Sequence, residues 1–306
     1  MRKAINILRS LTPLWLRRKA GPFIGWFFYF FRVHIRGKTW EPNVLSIQET
    51  LTKIDSQNLS AIRFGDGEIS LIQGSSLGFQ KYDASLANAI QKVLKSEDDT
   101  LLICIPGIFG DISTFSSLGF WFEIHHTFRY SDIWKKLTSP EKTYGDAFFA
   151  RPYFTFKDKS KVSKIYELIK NLWKNKEVVL IEGEKSRLGV GNDLFNGARS
   201  LERILCPAEN AFSKEDEIVA KAIELPKDTL ILLSLGPAAK VIGYELFKRG
   251  YRVIDIGHVD MEYEMFLRNS EEQIPVKYKY FNEINERDPE ECEEPEYLSQ
   301  IIAKVT

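Results

Sequence analysis

Short runs of consecutive apolar residues alternate with segments of helical periodicity from residue 44 onward, and this alternation constrains the fold more than any other feature. The runs SAIRF, TLLICIPG, EVVLIEG, DTLILLSLG and YRVIDIG have the length and composition of buried strands. Continuous apolar strands separated by helices are typical of a parallel sheet that is covered on both faces. We therefore predict a single α/β domain, Rossmann-like, with a mostly parallel sheet and helices on both faces.

The segments between these runs have the spacing of amphipathic helices. In SKEDEIVAKAIEL, Ser213 is a candidate N-cap and acidic residues follow it in the first turn. In PAAKVIGYELFKRG, Pro237 begins and Gly250 ends the predicted helix. The other predicted helices are VLSIQETLTKI, ASLANAIQKVLKS, SKVSKIYELIKNLWKNK and aromatic-rich material between Phe115 and Leu137.

Residues 1–40 differ from the rest of the chain in charge and in aromatic content. They hold nine Lys or Arg and no Asp or Glu, although the net charge of the 306 residues is zero. Their uncharged aromatic run, from Ala20 to Phe31, is shorter than the roughly 20 residues of a spanning helix. We expect residues 1–38 to bind an anionic membrane surface. The alternative is a helix whose aromatic side chains pack on the protein's own body.

Charge and cysteine content limit the remaining possibilities. The acidic stretch NEINERDPEECEEPE lies in a C-terminal tail, residues 282–306, which we separate from a central domain at residues 41–281. The three cysteines are scattered and form no C-x-x-C pair, which argues against a zinc site or a disulfide scaffold and fits a reducing cytosol. We expect no nucleic-acid partner, and a location at the cytoplasmic face of the cell membrane.

Glycine-containing loops follow the predicted strands, and the carboxyl ends of parallel strands lie along one edge of a sheet, where ligands bind. The loop GDGE carries Asp66 and Glu68 after the first strand. Two carboxylates would repel a phosphate, unless a divalent cation lies between them. We predict that Asp66 and Glu68 hold Mn²⁺ or Mg²⁺ and that the metal holds a diphosphate. The alternative is that Asp66 caps a helix and Glu68 complements its dipole.

Other polar residues and glycines on or near these loops are candidates for contacts with the same ligand. Cationic side chains suit a diphosphate, and a side-chain amide suits the edge of a nucleotide base. Backbone amides of glycines suit an anion nest. In ARSLERILCPAENAF, Arg199 and Arg203 are four residues apart, which predicts one helical face. The alternative for these residues is a solvated helix or an ordinary turn. The candidates are Arg63, Gly65, Arg187, Gly189, Asn192, Asp193, Arg203, Asn210 and Gly236.

Titratable residues follow the last predicted strand in IDIGHVDMEYEMF. A base that works near neutral pH is needed to deprotonate a sugar hydroxyl, and a histidine or a carboxylate with a raised pKa suits this task. We name His258 and Glu264 as catalytic candidates, with Asp260 and Glu262 as alternatives. The competing interpretation is a helix with an acidic first turn and an exposed histidine.

Several motifs, in order, resemble the GT-D type glycosyltransferases of bacterial surface-glycan and glycoprotein loci. They are RFGDGE, YGDAFFARPY, IEGEKSRLGVGNDLF, RILCPAENAF, LGPAAKVIGYEL and IDIGHVDMEYE, and the resemblance covers roughly residues 45 to 270. It implies a Rossmann-like fold, a nucleotide-sugar donor such as UDP-glucose, a divalent metal and an essential D-x-E motif. Asp66, Gly67 and Glu68 match that motif residue for residue.

The residues and the resemblance together predict a metal-dependent hexosyltransferase. We expect it to move a hexose, glucose or galactose, from a UDP-sugar to a lipid- or protein-linked glycan in bacterial surface polysaccharide or glycoprotein synthesis. Asp66 and Glu68 would be catalytic as well as metal-binding. Two alternatives remain, a nicotinamide-dependent oxidoreductase with the same glycine turn, and a non-catalytic scaffold at the membrane.

Overall fold

The computed structural model describes residues 42–109, 115–116, 126, 130–281 and 288–306. The predicted membrane-binding segment therefore lies outside the described residues. In these ranges, no helix combines the length and the apolar character needed to cross a bilayer. The strands are β1 (Asn43–Val44), β2 (Ser60–Arg63), β3 (Leu101–Ile105), β4 (Thr143–Asp146), β5 (Glu177–Gly183), β6 (Ser200–Cys206), β7 (Leu230–Ser234), β8 (Arg252–Asp255) and β9 (Ile301–Lys304).

These nine strands, in the described part of the chain, form one parallel sheet with the order β1-β4-β3-β2-β8-β7-β5-β6-β9. The α/β, Rossmann-like prediction is therefore confirmed. The helices with defined bounds are α1 (Ile47–Ser56), α2 (Asp66–Ile72), α3 (Ala84–Leu94), α4 (Pro152–Thr155), α5 (Val162–Asn171), α6 (Glu215–Ala222), α7 (Ala238–Lys248), α8 (Val259–Leu267) and α9 (Pro295–Ser299). Residues 130–137 are helical as well.

Helices cover both faces of the sheet, and apolar strand residues alternate between the two sides. On one face, α1, α4, α5 and α8 pack against strand residues such as Leu180 and Ile254. On the other face, α2, α3, α6 and α7 pack against residues such as Ile62, Ile181 and Val253. Strands β2, β3, β5, β7 and β8 contribute apolar side chains to both layers and therefore appear in the sequence as the five apolar runs.

Two local predictions were wrong. Arg199 and Arg203 do not share a helical face, because Ser200–Cys206 is strand β6, paired with β5 and β9. Ser213 does not cap a helix, because it lies within a single 3₁₀ turn, Ala211–Lys214, and its hydroxyl donates to the carbonyl of Asn210. At β6 strand pairing overrides the local helical pattern, and at Ser213 a local turn takes the place of the cap.

The two ends of the central domain also differ in detail from the sequence pattern. Helix α1 begins at Ile47, because Ser46 and Glu49 form a reciprocal capping box there. The preceding residues, Asn43–Val44, form a short strand that pairs with β4. At the other end, β9 pairs with β6, so residues 301–304 of the predicted acidic tail belong to the sheet. The boundary at residue 282 stays a prediction.

Candidate functional site

Three neighbouring strands, β2, β8 and β7, carry the centre of the site at their carboxyl ends. Arg63 ends β2, Asp255 ends β8 and Gly236 follows β7. The parallel arrangement therefore brings together three of the loops that the sequence predicted to form one site. The loops after β3 and β5 lie along the same edge of the sheet.

Both acids of the D-x-E motif lie in the first turn of helix α2, directly after the turn that follows β2. Helix α2 begins at Asp66, and Gly65 precedes it in an extended conformation. The Gly65 amide donates to Oε2 of Glu68 over 2.7 Å, so Glu68 closes the first turn of its own helix. Glu68 is buried, whereas Asp66 is exposed.

Lys240 binds both Glu68, the inner acid of the motif, and Asp255. Arg63 binds Asp255 as well. Nζ of Lys240 lies 3.1 Å from Oε1 of Glu68 and 3.0 Å from Oδ2 of Asp255. Arg63 binds the other oxygen of Asp255 over 3.1 Å and donates from Nε to its backbone carbonyl over 2.8 Å. Burial alone raises the pKa of Asp255, but Arg63 and Lys240 outweigh it and hold that pKa below its ordinary value. Arg63 is therefore committed to Asp255 in this structure.

The outer acid, Asp66, is in a different electrostatic situation. Protein atoms that displace water around its carboxyl, and then the nearby charge of Glu68, raise the pKa of Asp66 above its ordinary value. Arg151 opposes this shift only in part. An acid that is exposed yet crowded by protein atoms and by a second acid favours a bound cation, because a cation relieves the repulsion.

The loop after β7 lies very close to the segment of the chain that contains Phe79. Gly236 has a φ of +53°, and a Cβ at this position would lie 2.7 Å from Cε2 of Phe79. A side chain here would meet both backbone strain and a clash. Asn210 supports the same region, since its Oδ1 accepts from the amide of Lys81 over 2.8 Å. Gly236 and Asn210 thus both contact the segment 79–81, beside the carboxyl end of β7.

A second group of candidates connects the loop after β5 to helix α8. Oδ1 of Asp260 accepts from the amide of Gly189 over 2.9 Å and from Nδ2 of Asn192 over 2.7 Å. Asn192 also donates to Oε1 of Glu264 over 2.7 Å. Lys279, fully buried, bridges Asp260 and Glu264 at 2.7 and 2.9 Å. These contacts fix two loops against α8.

The contacts and the pKa of Glu264 match a structural contribution. Burial raises the pKa of Glu264, but Lys279, Asn192 and Arg268 together lower it by more than burial raises it. The net pKa therefore lies below its ordinary value. Such a carboxylate is a weaker base than the sequence prediction requires. The predicted catalytic role of Glu264 stays a prediction, and its present contacts are those of a residue that fixes loops.

Asp193 and Arg187, from the same loop, also contact protein groups. Asp193 binds Nζ of Lys170 and the hydroxyl of Tyr263, both at 2.7 Å, which lowers its pKa. Arg187, 3% exposed and at φ +48°, donates to the carbonyls of Tyr278 and Glu290. It also pairs with Glu291 over 2.6 Å. Arg187 therefore anchors the C-terminal segment to the loop.

Arg203 is buried inside the sheet layer. It pairs with Glu182 of the neighbouring strand β5 and donates to the carbonyl of Leu188 over 2.8 Å and to Oε1 of Gln300 over 2.7 Å. Both side chains of the ion pair are at most 2% exposed. The structure thus separates Arg203 from the exposed Asp66 and gives it the contacts of a structural arginine.

The histidine and the remaining acids after β8 occupy the start of helix α8. His258 precedes its first residue, is half-buried, and packs edge-to-face on Phe281 with ring centroids 5.9 Å apart. Glu262 is buried and accepts from the amides of Tyr153 and Phe154, both at 3.0 Å. Among the candidate bases, His258 therefore remains accessible at the strand ends.

Two residues at this edge were missed as site residues. Lys240 is the single lysine of PAAKVIGYEL and follows two alanines in an otherwise apolar stretch, but a lysine in a predicted helix is ordinarily solvent-exposed. Asp146 ends β4, and its Oδ1 accepts from the amides of Gly107 and Phe148. Burial raises the pKa of Asp146 to about 7, although these two amides oppose the shift. The position of Asp146 at the end of a strand was the available signal for that residue, whereas Lys240, inside a helix, offered none.

Comparison with known proteins gives a consistent result. The family profile described as "Glycosyltransferase GT-D fold" matches residues 61–284. The chain is 38% identical over 264 residues to "Glycosyltransferase GlyD" of Streptococcus pneumoniae serotype 4, which covers 86% of this chain and 32% of that protein. It is 38% identical over 267 residues to "Probable glycosyl transferase Gly" of Streptococcus gordonii, which covers 86% of this chain and 39% of that protein. The chain thus spans well under half the length of these relatives.

Solved structures agree in fold and in extent. One, described as "A New Glycosyltransferase (DUF1792) from Streptococcus sanguinis", is 37% identical, with a TM-score of 0.82, over 87% of this chain and all of that chain. Another is described by the phrase "The highly conserved domain of unknown function 1792 has a distinct glycosyltransferase fold". It is 37% identical, with a TM-score of 0.83, over 87% of this chain and 96% of that chain. The chain belongs to the GT-D glycosyltransferase family.

Proposed function

We propose that this protein transfers a hexose, glucose or galactose, from a UDP-sugar to a glycan acceptor in a metal-dependent reaction. The observation that carries the proposal is the exposed Asp66, which follows the carboxyl end of β2. The buried Glu68 lies two residues later in the same helical turn. Family membership supports a sugar-transfer reaction and disfavours the nicotinamide-dependent oxidoreductase. The donor, the metal and the acceptor are parts of the proposal.

The exposed carboxylate of Asp66 suits a hard divalent cation such as Mn²⁺ or Mg²⁺, because it offers oxygen ligands, whereas both oxygens of Glu68 already have partners. In the described ranges, no group of three or more His, Cys, Asp or Glu is arranged to hold a metal. A magnesium-type site commonly has one or two carboxylates and completes its shell with substrate phosphates and water. Asp66 would hold the ion, and Glu68 would add negative charge behind it.

A bound Mn²⁺ or Mg²⁺ would neutralise the charge that develops on the leaving diphosphate. The chain's own groups would hold the donor in place. The loops after β2, β7 and β8 would supply these groups, because the carboxyl ends of these neighbouring parallel strands lie along one edge of the sheet. Gly236, at φ +53° and next to the Phe79 side chain, leaves the loop after β7 without a side chain at this position.

The acceptor hydroxyl must lose its proton during the transfer. We propose that, if the reaction inverts, His258 accepts this proton, because a histidine side chain ordinarily titrates near neutral pH and His258 lies half-buried after β8. Asp260, Glu262 and Glu264 are all buried and accept hydrogen bonds from other parts of the chain. His258 is therefore better placed than these acids to meet an acceptor.

The acceptor is proposed to be a lipid- or protein-linked glycan, and the place of action the cytoplasmic face of the cell membrane. The nine positive charges and the aromatic run of residues 1–40 support this part, since each Lys or Arg near an anionic leaflet contributes roughly 1 kcal/mol. The pathway proposed is synthesis of bacterial surface polysaccharide or glycoprotein.

The test is a thermal-shift panel of UDP-, GDP- and dTDP-sugars, each with Mn²⁺ and with EDTA. A UDP-hexose at 100 times its Kd should stabilise the protein by about 2.7 kcal/mol in the presence of the metal only. Transfer of a radiolabelled hexose should likewise stop with EDTA. Full transfer activity in EDTA, or a response to NADH instead, would refute the proposal, and no response to any nucleotide would favour the non-catalytic scaffold.

A further inference from the structure

Lys240 is a buried cation that contacts groups at or just after the carboxyl ends of β2, β7 and β8. It lies in the first turn of α7, and its side chain is 6% exposed. Its ammonium group lies 3.1 Å from the carbonyl of Gly236, 3.1 Å from Oε1 of Glu68 and 3.0 Å from Oδ2 of Asp255. A lysine ammonium has three N–H donors, so these three acceptors match its capacity.

The two carboxylates that Lys240 contacts depend on it to different degrees. Asp255 also receives Arg63 at 3.1 Å, so it keeps a cationic partner when Lys240 is removed. Glu68 has the amide of Gly65 as its other partner, and an amide is a neutral donor. A buried carboxylate without a cation is costly. Loss of Lys240 should therefore disturb Glu68 more than Asp255.

Glu68 transmits this dependence to the exposed acid. Its Oε2 holds the amide of Gly65, which is the residue directly before Asp66. A change in the position of Glu68 would release that amide and alter the backbone from which the Asp66 side chain leaves. Lys240 is thus separated from Asp66 by one carboxylate and one peptide unit.

We propose that Lys240 is a positioning residue of the transfer site, which holds Glu68 in place so that Asp66 faces the donor from a fixed turn. This inference rests on the proposed function, in which Asp66 meets the metal and diphosphate of the donor. It divides the D-x-E motif into an outer acid that contacts the ligand and an inner acid that Lys240 fixes.

The test uses Lys240→Met and, as a matched control on the same helix, Lys248→Met, whose lysine is exposed. Amide exchange at Gly65, measured by NMR without any ligand, should accelerate in Lys240→Met and stay unchanged in Lys248→Met. The kcat/KM for hexose transfer should fall about 10- to 100-fold in Lys240→Met, as for other residues that orient a ligand-binding group. The double variant Glu68→Gln/Lys240→Met should lose no more kcat/KM than Lys240→Met alone, because both changes act through the same contact.

The proposal is overturned if Gly65 keeps its protection in Lys240→Met, or if the losses in the double variant multiply. If Lys240→Met alone does not fold, the comparison moves to the neutral pair, Glu68→Gln with Lys240→Met, against Glu68→Gln. In that pair equal kcat/KM values support the coupling, and a further loss refutes it. Failure of the proposed function has a different signature, since the wild-type protein would then not respond to a UDP-sugar with Mn²⁺.

Discussion

The carboxyl groups of Asp66 and Glu68 belong to the same turn of helix α2, and of these two only Asp66 is exposed to solvent. Glu68 binds the amide of Gly65 and the ammonium group of Lys240, whereas Asp66 stands at the open edge of the sheet. Two acids of one short motif therefore differ in what they can contact. Their substitution should have unequal effects on stability and on activity.

We expect Asp66→Asn to reduce hexose transfer by about 100-fold or more, a loss typical of removing a group that stabilises developing charge. Its stability should be equal to or above that of the wild-type protein near neutral pH. The pKa of Asp66 is raised on folding, so its ionised form weakens the fold as pH rises, and asparagine removes this effect. Glu68→Gln should instead lower the free energy of unfolding by about 1–3 kcal/mol. Transfer assays and urea unfolding of both variants test this contrast, and a large stability loss in Asp66→Asn would contradict it.

Asp146 should make stability depend on pH. Its pKa is 3.8 ordinarily and about 7 in the folded protein, so the folded state binds the proton more tightly. The free energy of unfolding should fall as pH rises between these two values, by at most about 4 kcal/mol, and level off above them. Asp146→Asn, which keeps an oxygen for the amides of Gly107 and Phe148, should remove this slope. Urea unfolding at pH 5, 6, 7 and 8 measures it, and an equal slope in the variant would exclude Asp146 as the cause.

Arg203→Ala should destabilise the protein by about 3–5 kcal/mol, because it leaves Glu182 buried without its cation. Arg199→Ala is the matched control, since Arg199 is exposed and lies 3.9 Å from an exposed Glu177. Exposed pairs contribute about 1 kcal/mol or less. Thermal or urea unfolding of the two variants gives the comparison. Similar stability of the two variants, together with weaker donor binding in Arg203→Ala, would restore the sequence prediction that Arg203 binds the donor.

Removal of residues 1–38 should abolish binding to anionic vesicles, because these residues hold the nine positive charges and the aromatic run. Co-sedimentation with vesicles rich in phosphatidylglycerol measures the binding, and vesicles of phosphatidylcholine are the control. Binding of the full chain should weaken as salt is increased. Unchanged sedimentation after the deletion would show that these residues pack elsewhere.

The sequence predicted the central strands well and the outer strands poorly. Strands such as β5 and β7 are buried on both faces and therefore appear as apolar runs, which periodicity detects. Strand β6 carries Glu202 and Arg203, and the burial of Arg203 is only explained by Glu182 on another strand. A local pattern contains no information about such a partner. Strands β1 and β9 were missed for other reasons, because β1 has only two residues and β9 alternates between partly buried and exposed positions.

The site shows this limit more clearly. The glycine turns and their polar residues were found from the sequence, since the end of each apolar run marks them. Which charge pairs with which was not predictable, because the partners come from distant segments. Lys279 joins Asp260 and Glu264 from 19 and 15 residues away, and Lys240 meets Glu68 across 172 positions of the chain. Several residues with chemically suitable side chains are thereby bound to other parts of the protein.

The pairing of β9 with β6 has a practical consequence for anyone who shortens this chain. A protein that stops at residue 284, where the family profile ends, would lack Gln300 and the whole of β9. Strand β6 would then present an open row of backbone amides and carbonyls, which is a template for aggregation. A soluble fragment for crystallisation or screening should therefore keep its C-terminus at least as far as Val305, whose amide binds the carbonyl of Leu205.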